Sequence, residues 1–482
     1  MRRAKILITL GPSANTQEMI EKLIKAGANA VRINMSHGSR EEHMSLIEMA
    51  RGASVKLDSP LSILIDLAGP KIRTRSLQNK EPVLLHMGDR FTLTTRDIVG
   101  NKDEVSTTFG ELPSSVKIGE AILLDDGSLE LEVIDKTETD VICKVVAGGL
   151  LYESKGINLP NTYLPIPSLT DKDRSDLDWA LEQDIDYVAL SFVRKAEDCH
   201  EVKRIIKSKN ARVFGRALLV AKIEKAEAIE NLDEIIKATD GVMVARGDLG
   251  VETSVELVPV YQKDIIQKSI ANDKFVITAT QMLQTMIENP RPTRAEASDV
   301  ANAVWDGTDA VMLSAETAAG NHPVESVLTM SKIIKAAEKL KAGELKRSIK
   351  FDQQPSGRTS QALCNAAGYC AKEKKTEKIA VFTESGLMAR RLSTYRSGLQ
   401  TYALTTSRRA RNQLAMIWGV SPFYQKMSQS TENMLRNGEK TLLDNDAVKH
   451  GETIVMMAGR LSGLGLSSSV VVWTIGEDMP RR

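Results

Sequence analysis

Neither sign of charge prevails in this 482-residue sequence: 64 Lys and Arg stand against 63 Asp and Glu, a formal net charge of +1. Composition therefore supplies no electrostatic footprint for nucleic acid or an anionic membrane. Cysteine is scarce. The four present (Cys143, Cys199, Cys364, Cys370) form no C-x-x-C pair, which argues against a disulfide frame or a zinc knuckle and fits a reducing compartment. No apolar stretch approaches the roughly 18 residues that read as a membrane span. The opening MRRAKILITLGP carries a short apolar run, but the run meets Gly11-Pro12 with no small-residue cleavage site. The expectation is a cytoplasmic protein with neither membrane nor nucleic acid as a partner. Hydrophobic residues are plentiful at 42%, enough for large cores, and the length suggests about three domains.

The chain opens as strand and helix in alternation. KILITLGP (Lys5 to Pro12), AVRINMSHG (Ala30 to Gly38) and LSILIDLAGP (Leu61 to Pro70) read as strands, with helical patterns between them. From about Arg73 to Lys155 the pattern changes to short alternating runs broken by Gly, Asp and Asn, with a hairpin signal at Asp126-Gly127. A small β unit is therefore expected as an insertion. Alternation resumes with DYVALSFVR, LLVAKIEK, GVMVARGDLG, FVITATQM and AVMLSAETAAG. Three strands before the insertion and five after it predict an α/β fold, a TIM (β/α)8 barrel, with its chemistry at the carboxyl ends of the strands. An open doubly wound sheet is the competing architecture. Pro355-Ser356-Gly357 marks a linker, and a further α/β domain follows. The expected division is 1–72 with 156–345 for the barrel, 73–155 for an inserted small β-barrel lid, and 352–482 for an effector and oligomerisation domain.

Six strand ends carry polar residues, four of them at period-two spacing, which puts those residues on one face. Lys222 and Glu224 end one strand; Arg32, Asn34 and Ser36 end another, followed by His37. Asp66 ends a third, ahead of Gly69-Pro70-Lys71-Ile72-Arg73. Asp248 sits between Gly247 and Gly250 in a turn whose backbone N–H groups suit an anion. Thr278 and Thr280 share a face of the seventh strand, and Ser314 and Glu316 of the eighth. Each window alone reads as well for a strand-end ion pair, a buried anchor or a packed threonine. Together they point to phosphoryl chemistry on a small anionic substrate with a divalent metal, the rate coming from charge neutralisation and positioning. Glu224 and Asp248 on neighbouring strands suit Mg²⁺, which takes one or two carboxylates plus substrate oxygens. Glu316 is expected to brace Lys222 or a water network.

The runs RINMSHG, GPKIR, KGINLP, IEKAEAIENLDEII, MVARGDLGVE and Thr278 to Gly320 together resemble the pyruvate kinase family, in the right order and over essentially the whole chain. The resemblance implies a bacterial enzyme that transfers the phosphoryl group of phosphoenolpyruvate to ADP, with Mg²⁺ or Mn²⁺. It also implies a mobile lid and a homotetramer. By the resemblance, Lys222 stabilises charge on the phosphoryl group and enolate, and Glu224 and Asp248 bind the metal. Arg32, Gly247, Asp248 and Thr280 hold the substrate, while Arg73, Lys155, Asn34 and His37 face the nucleotide. Thr280, or a water held by Ser314 and Glu316, delivers the proton.

Two departures stand out. Family members that need K⁺ hold it on residues matching Asn34, Ser36, Asp66 and Leu67, with an acid where this chain has Lys71. A fixed ammonium there implies that K⁺ is dispensable. In the last domain Leu387 follows Gly386 in place of an arginine, so fructose 1,6-bisphosphate is not the expected effector. A nucleoside or sugar monophosphate held by the polar loops Thr383 to Gly386 and Gly459 to Ser469 with Arg460, or no activator at all, fits these residues equally. The alternatives are a Mg²⁺-dependent barrel lyase or aldolase on pyruvate-like substrates, against which the insertion counts, and a silent metabolite sensor, against which the intact charged set counts.

Overall fold

The structure is a computed structural model that describes residues 2–160, 162, 166–183, 185–209, 217–341, 358–396, 398–458 and 469–477. Eight strands close into a parallel barrel: β1 (Lys5–Thr9), β2 (Ala30–Asn34), β3 (Ser62–Asp66), β4 (Tyr187–Leu190), β5 (Leu218–Ile223), β6 (Gly241–Ala245), β7 (Phe275–Ala279) and β8 (Ala310–Leu313). Their residues are mostly apolar and, apart from Arg32, Asn34 and Leu218, buried, because both faces are covered. One face of each strand fills the barrel, with Leu7, Leu64, Tyr187, Val220, Met243, Ile277 and Met312 among the filling. The other face packs on the surrounding helices through Ile8, Ile63, Val188, Val242 and Val311.

Helix starts are fixed by side-chain caps. Ser39 and Glu42 form a reciprocal capping box ahead of the helix Arg40–Lys56, and Thr293 and Glu296 form another ahead of Arg294–Asp306. Glu296 also accepts from Thr285 N at 2.7 Å and Thr285 Oγ1 at 2.6 Å, which ties down the long loop after β7.

The insertion between β3 and β4 is a six-stranded, mostly antiparallel sheet with a two-stranded ribbon, wrapped round its own core of Phe91, Leu93, Leu124, Leu131 and Val145. Leu124 pairs with Leu129 across the expected hairpin turn, where Asp125, Asp126 and Gly127 all have positive φ. Its two connections run side by side, Arg73 bridging Gly156 and Ile157 N donating to Ile72 O at 2.9 Å.

The last domain is a five-stranded sheet in the order Val420–Tyr424, Gln400–Thr405, Lys378–Phe382, Thr453–Ala458, Ser469–Thr474, parallel except for the final strand. Val420–Tyr424 is absent from the sequence reading. Its Pro422 argues against a strand, and the structure admits it as an edge strand. This domain closes the amino-terminal end of the barrel. Lys5 Nζ donates to Val420 O at 2.7 Å, Ser62 Oγ to Asn412 O at 2.5 Å and Tyr187 OH to Gln413 O at 2.5 Å. Arg396 pairs with Asp309 at 2.8 Å. The apolar column inside the barrel runs on without a break into the core of this domain. No helix among the described residues is long and apolar enough to cross a membrane.

Candidate active site

At the opposite end of the barrel the interior column gives way to charge. Counting outward on the filled face, the residues after Leu7, Ala30, Leu64 and Val220 are Thr9, Arg32, Asp66 and Lys222. Arg32 pairs with Thr9 in register and Asn34 with Asp66. Asp66 is fully buried, and two cations lean on it. Arg32 Nε and Nη2 each lie 2.6 Å from Oδ2, and Lys222 Nζ lies 3.4 Å from Oδ1. Burial alone would raise the Asp66 carboxyl, but Lys222 and Arg32 hold it below the usual carboxylate range.

Lys222 closes the cluster. Its ammonium is 2.8 Å from Glu224 Oε1 and donates to Ser191 Oγ at 2.7 Å. Burial opposes its charge, yet Asp66 and Glu224 outweigh burial and raise its pKa, so it stays protonated. Glu224 lies one residue past β5, and its Oε2 accepts the Phe192 N–H at 2.7 Å. Burial pushes the Glu224 carboxyl up despite Lys222, and Asp248 adds to the rise. Two carboxylates thus converge where a cation would relieve them. Among the described residues no group of three or more His, Cys, Asp or Glu is assembled to hold a metal unaided. The donor set therefore fits Mg²⁺ completed by substrate oxygens and water.

Asp248 differs from its expected setting. Arg246–Glu252 is a short helix opening at the end of β6, not a turn. Gly247 N still faces the mouth, where it donates to Thr280 Oγ1 at 2.8 Å. The two threonines of the seventh strand do not share a face. Ile277 and Ala279 fill the barrel, so Thr278 points to the helix layer, where its Oγ1 donates to Thr308 Oγ1 at 3.0 Å. Thr280 and Gln281 have φ of 69° and 53°, and this left-handed step swings Thr280 into the mouth. Arg246 holds the step by donating to Thr280 O at 2.7 Å while pairing with Asp299 at 2.7 Å.

Glu316 does not brace Lys222. Its carboxylate is taken by Ser314 N at 2.7 Å and Leu283 N at 3.1 Å, so it shapes the loops after β7 and β8. Ser314 Oγ is buried without a hydrogen-bond partner among the described residues.

Two cavities flank the charged cluster. One of about 250 Å³ lies between the insertion and the barrel, lined by Lys71, Arg73, Asp125, Lys155, Lys225 and Asp248. Arg73 Nη1 donates to Ser154 O at 3.0 Å, and Lys155 pairs with Asp125 at 2.9 Å. The other, of about 890 Å³, is lined by Pro12, Arg32, Asn34, His37, Met49 and Ser314 among others. His37 is exposed, and its pKa is lowered by partial burial and by Arg73, Lys71 and Arg32.

The candidate monovalent-cation set is partly spoken for. Asn34 Oδ1 accepts from Ser36 N at 3.1 Å, and Leu67 O accepts from Ser191 Oγ at 2.7 Å. Ser36 Oγ alone is buried without a partner among the described residues. Lys71 is exposed as a residue, but its ammonium is partly desolvated and interacts with Lys222, Asp248, Glu224 and Asp66; burial and Lys222 lower its pKa. Of the effector loops, Thr383 Oγ1 accepts from Gly386 N at 3.1 Å, while 459–468, with Arg460, lies outside the described residues.

The sequence reading missed Ser191 and the Phe192 N–H. The signal was available: Ser191 falls two residues after Ala189 on the filled face, the same period that singled out Arg32 and Asn34. It also missed Lys225 and the buried Glu252, a pair at 2.7 Å in which Glu252 accepts from Asn158 Nδ2 at 2.8 Å and so links barrel to insertion.

A family description of the pyruvate kinase barrel domain matches residues 1–327, and one of the pyruvate kinase alpha/beta domain matches 361–472. A pyruvate kinase of Clostridium perfringens is 41% identical over 461 residues, 95% of this chain and 96% of that one. One of Staphylococcus haemolyticus is 40% identical over 488 residues, 100% of this chain and 82% of that one. The crystal structure of a pyruvate kinase from Cryptosporidium parvum superposes with a TM-score of 0.88 at 34% identity, covering 98% of this chain and 96% of that one. With both domain descriptions matched and relatives at this identity spanning the full length, the chain belongs to the pyruvate kinase family.

Proposed function

We propose a residue-level route for the family's reaction, the transfer of the phosphoryl group of phosphoenolpyruvate to ADP. The observation that carries it is the convergence of Lys222, Glu224, Asp66 and Arg32 at the barrel mouth, with Lys222 2.8 Å from Glu224. The bond between phosphorus and the enol oxygen breaks, a bond from phosphorus to the β-phosphate oxygen of ADP forms, and a proton ends on the methylene carbon.

In this route Lys222 balances charge on the moving phosphoryl group and on the enolate oxygen, a task suited to a buried ammonium that stays charged. Arg32 binds the phosphate as a fork, its other edge fixed by Asp66. The backbone N–H groups of Gly247 and Asp248, with Thr280, hold the substrate carboxylate, Thr280 Oγ1 yielding the Gly247 N–H as it binds. Arg73 and Lys155 reach the nucleotide phosphates from the root of the insertion. Asn34 and His37 face the nucleoside in the larger cavity, with His37 neutral near pH 7. Thr280, or a water on the unpartnered Ser314 hydroxyl, supplies the proton, and Glu316 positions Ser314. Glu224 and Asp248 would hold Mg²⁺ or Mn²⁺, which when bound neutralises phosphoryl and enolate oxygens.

Lys71 takes the place of a monovalent cation, its ammonium supplying positive charge beside Asp66 and Glu224. We further take the insertion, 73–155, as a lid, 352–482 as an effector domain, and the enzyme as a cytoplasmic homotetramer.

The test is ATP formation from phosphoenolpyruvate and ADP with Mg²⁺, in K⁺ buffer and in buffer free of K⁺ and Na⁺. Equal rates are expected. A rate seen only with K⁺ would leave the reaction standing and remove the role given to Lys71. Lys222→Met is expected to lose at least about 10³-fold in kcat with its fold intact; a normal rate would overturn the role given to Lys222.

A further inference from the structure

One group touching Lys222 has no part in the reaction as written above. Ser191 follows Leu190 at the end of β4 and is 1% exposed. Its Oγ lies 2.7 Å from Lys222 Nζ, 2.7 Å from Leu67 O and 3.4 Å from Asp66 Oδ1. An ammonium only donates, and a hydroxyl has a single proton. Ser191 must therefore accept from Lys222, and its own proton goes to Leu67 O, the nearer of its two acceptors. The result is a directed chain from the Lys222 ammonium through the Ser191 hydroxyl to a backbone carbonyl.

The three contacts of Lys222 are unequal. Asp66 is the longest, at 3.4 Å, and is already engaged by Arg32. Glu224 is close, but as a metal ligand its charge is needed elsewhere when substrate is present. Ser191 is the neutral partner with no other ligand to serve, and it is anchored to rigid backbone. The loop after β3 closes over it. A methyl group on Gly69 would come within 2.9 Å of Ser191 Cβ and 2.6 Å of the Phe192 ring, so no wider side chain separates the strand ends. Kept from water, the bond to Lys222 is stronger than it would be in solvent.

We propose that Ser191 is a positioning residue for phosphoryl transfer: its hydroxyl holds the Lys222 ammonium in place when Glu224 turns to the metal and a substrate oxygen displaces Asp66. This rests on the role given to Lys222 above. A misplacement near 1 Å in such a site costs about 10²-fold.

The experiment compares Ser191→Ala, Ser191→Thr and Lys222→Met by steady-state kinetics and thermal melting. Ser191→Ala is expected to lose about 10- to 100-fold in kcat, with KM for both substrates within about twofold and a single cooperative melt that shows the fold intact. Ser191→Thr, which restores the hydroxyl, is expected to recover to within about threefold of wild type. A kcat for Ser191→Ala equal to wild type, a loss carried by KM alone, or equal losses in the Ala and Thr variants would each overturn the proposal. Should Ser191→Ala not fold, Ser191→Cys, a poorer acceptor, is read against the same kcat and KM split. A wild-type rate in Lys222→Met would instead bring down the role of Lys222 itself, and so separates the two failures.

Discussion

Asp66 shows how much can hang on a single carboxylate. It is 1% exposed and carries both Arg32 at 2.6 Å and Lys222 at 3.4 Å. Replacing one member of such a buried set typically costs about 3–5 kcal/mol, because the remaining charge is unpaired. Asp66→Asn keeps the shape and removes the charge. A loss near the lower end of that range is expected in urea denaturation, with a raised KM for phosphoenolpyruvate as Arg32 loses its brace; an unchanged urea midpoint would contradict this. The pH dependence has a definite sign. A carboxyl held below its unfolded value near 3.9 contributes its full stability above that pH and loses it as the pH falls through the folded value. The wild-type advantage over Asp66→Asn should therefore shrink only on the acid side.

At the scale of elements, the loop after β3 has one position with no freedom. Gly69 has φ of 68°, and a Cβ there would overlap Ser191 and Phe192, which itself has φ of 55°. Gly69→Ala adds a left-handed penalty of about 1–2 kcal/mol to an overpacking cost of about 1–3 kcal/mol. A fall in urea midpoint together with a fall in kcat is expected; a variant with both unchanged would show that the loop simply moves aside. The same loop shows what could be read in advance. Period two holds inside strands, so Lys222 with Glu224, and Arg32 with Asn34, were legible from spacing alone. It fails where the backbone leaves the strand. The left-handed step at Thr280 and Gln281 brings Thr280 to the mouth as expected but parts it from Thr278, which faces the helix layer, and nothing in ITATQM signals that step. Arg246–Glu252 reads as a turn because of its two glycines, yet neither has positive φ and the segment is helical. Glu316 is a fitting acid at a fitting spacing whose oxygens were already claimed by backbone N–H groups, and those partners depend on loops from two different strands.

For the whole molecule the telling residue is Lys5, 7% exposed at the barrel floor, with its ammonium on Val420 O. Burial and then Arg2 lower its pKa to about 7, against the pull of Glu338 and Asp309. The unfolded value is near 10.4. Between those two pH values the unfolded chain holds the proton and the folded chain does not, so stability due to Lys5 rises with pH by up to about 1.4 kcal/mol per unit. Below pH 7 both states hold it and the slope vanishes. The difference in Tm between wild type and Lys5→Met should therefore tilt in favour of wild type from pH 7 to 10; parallel curves would remove Lys5 as the cause. The floor has a further consequence. Because Leu7, Tyr187 and Met243 in the barrel and Val381, Val455 and Met457 in the last domain belong to one uninterrupted apolar mass, neither part owns a complete interior. Heating the chain should then melt them in one calorimetric step, and a protein cut after the barrel would meet water through its open base and be lost to aggregation before it could be assayed.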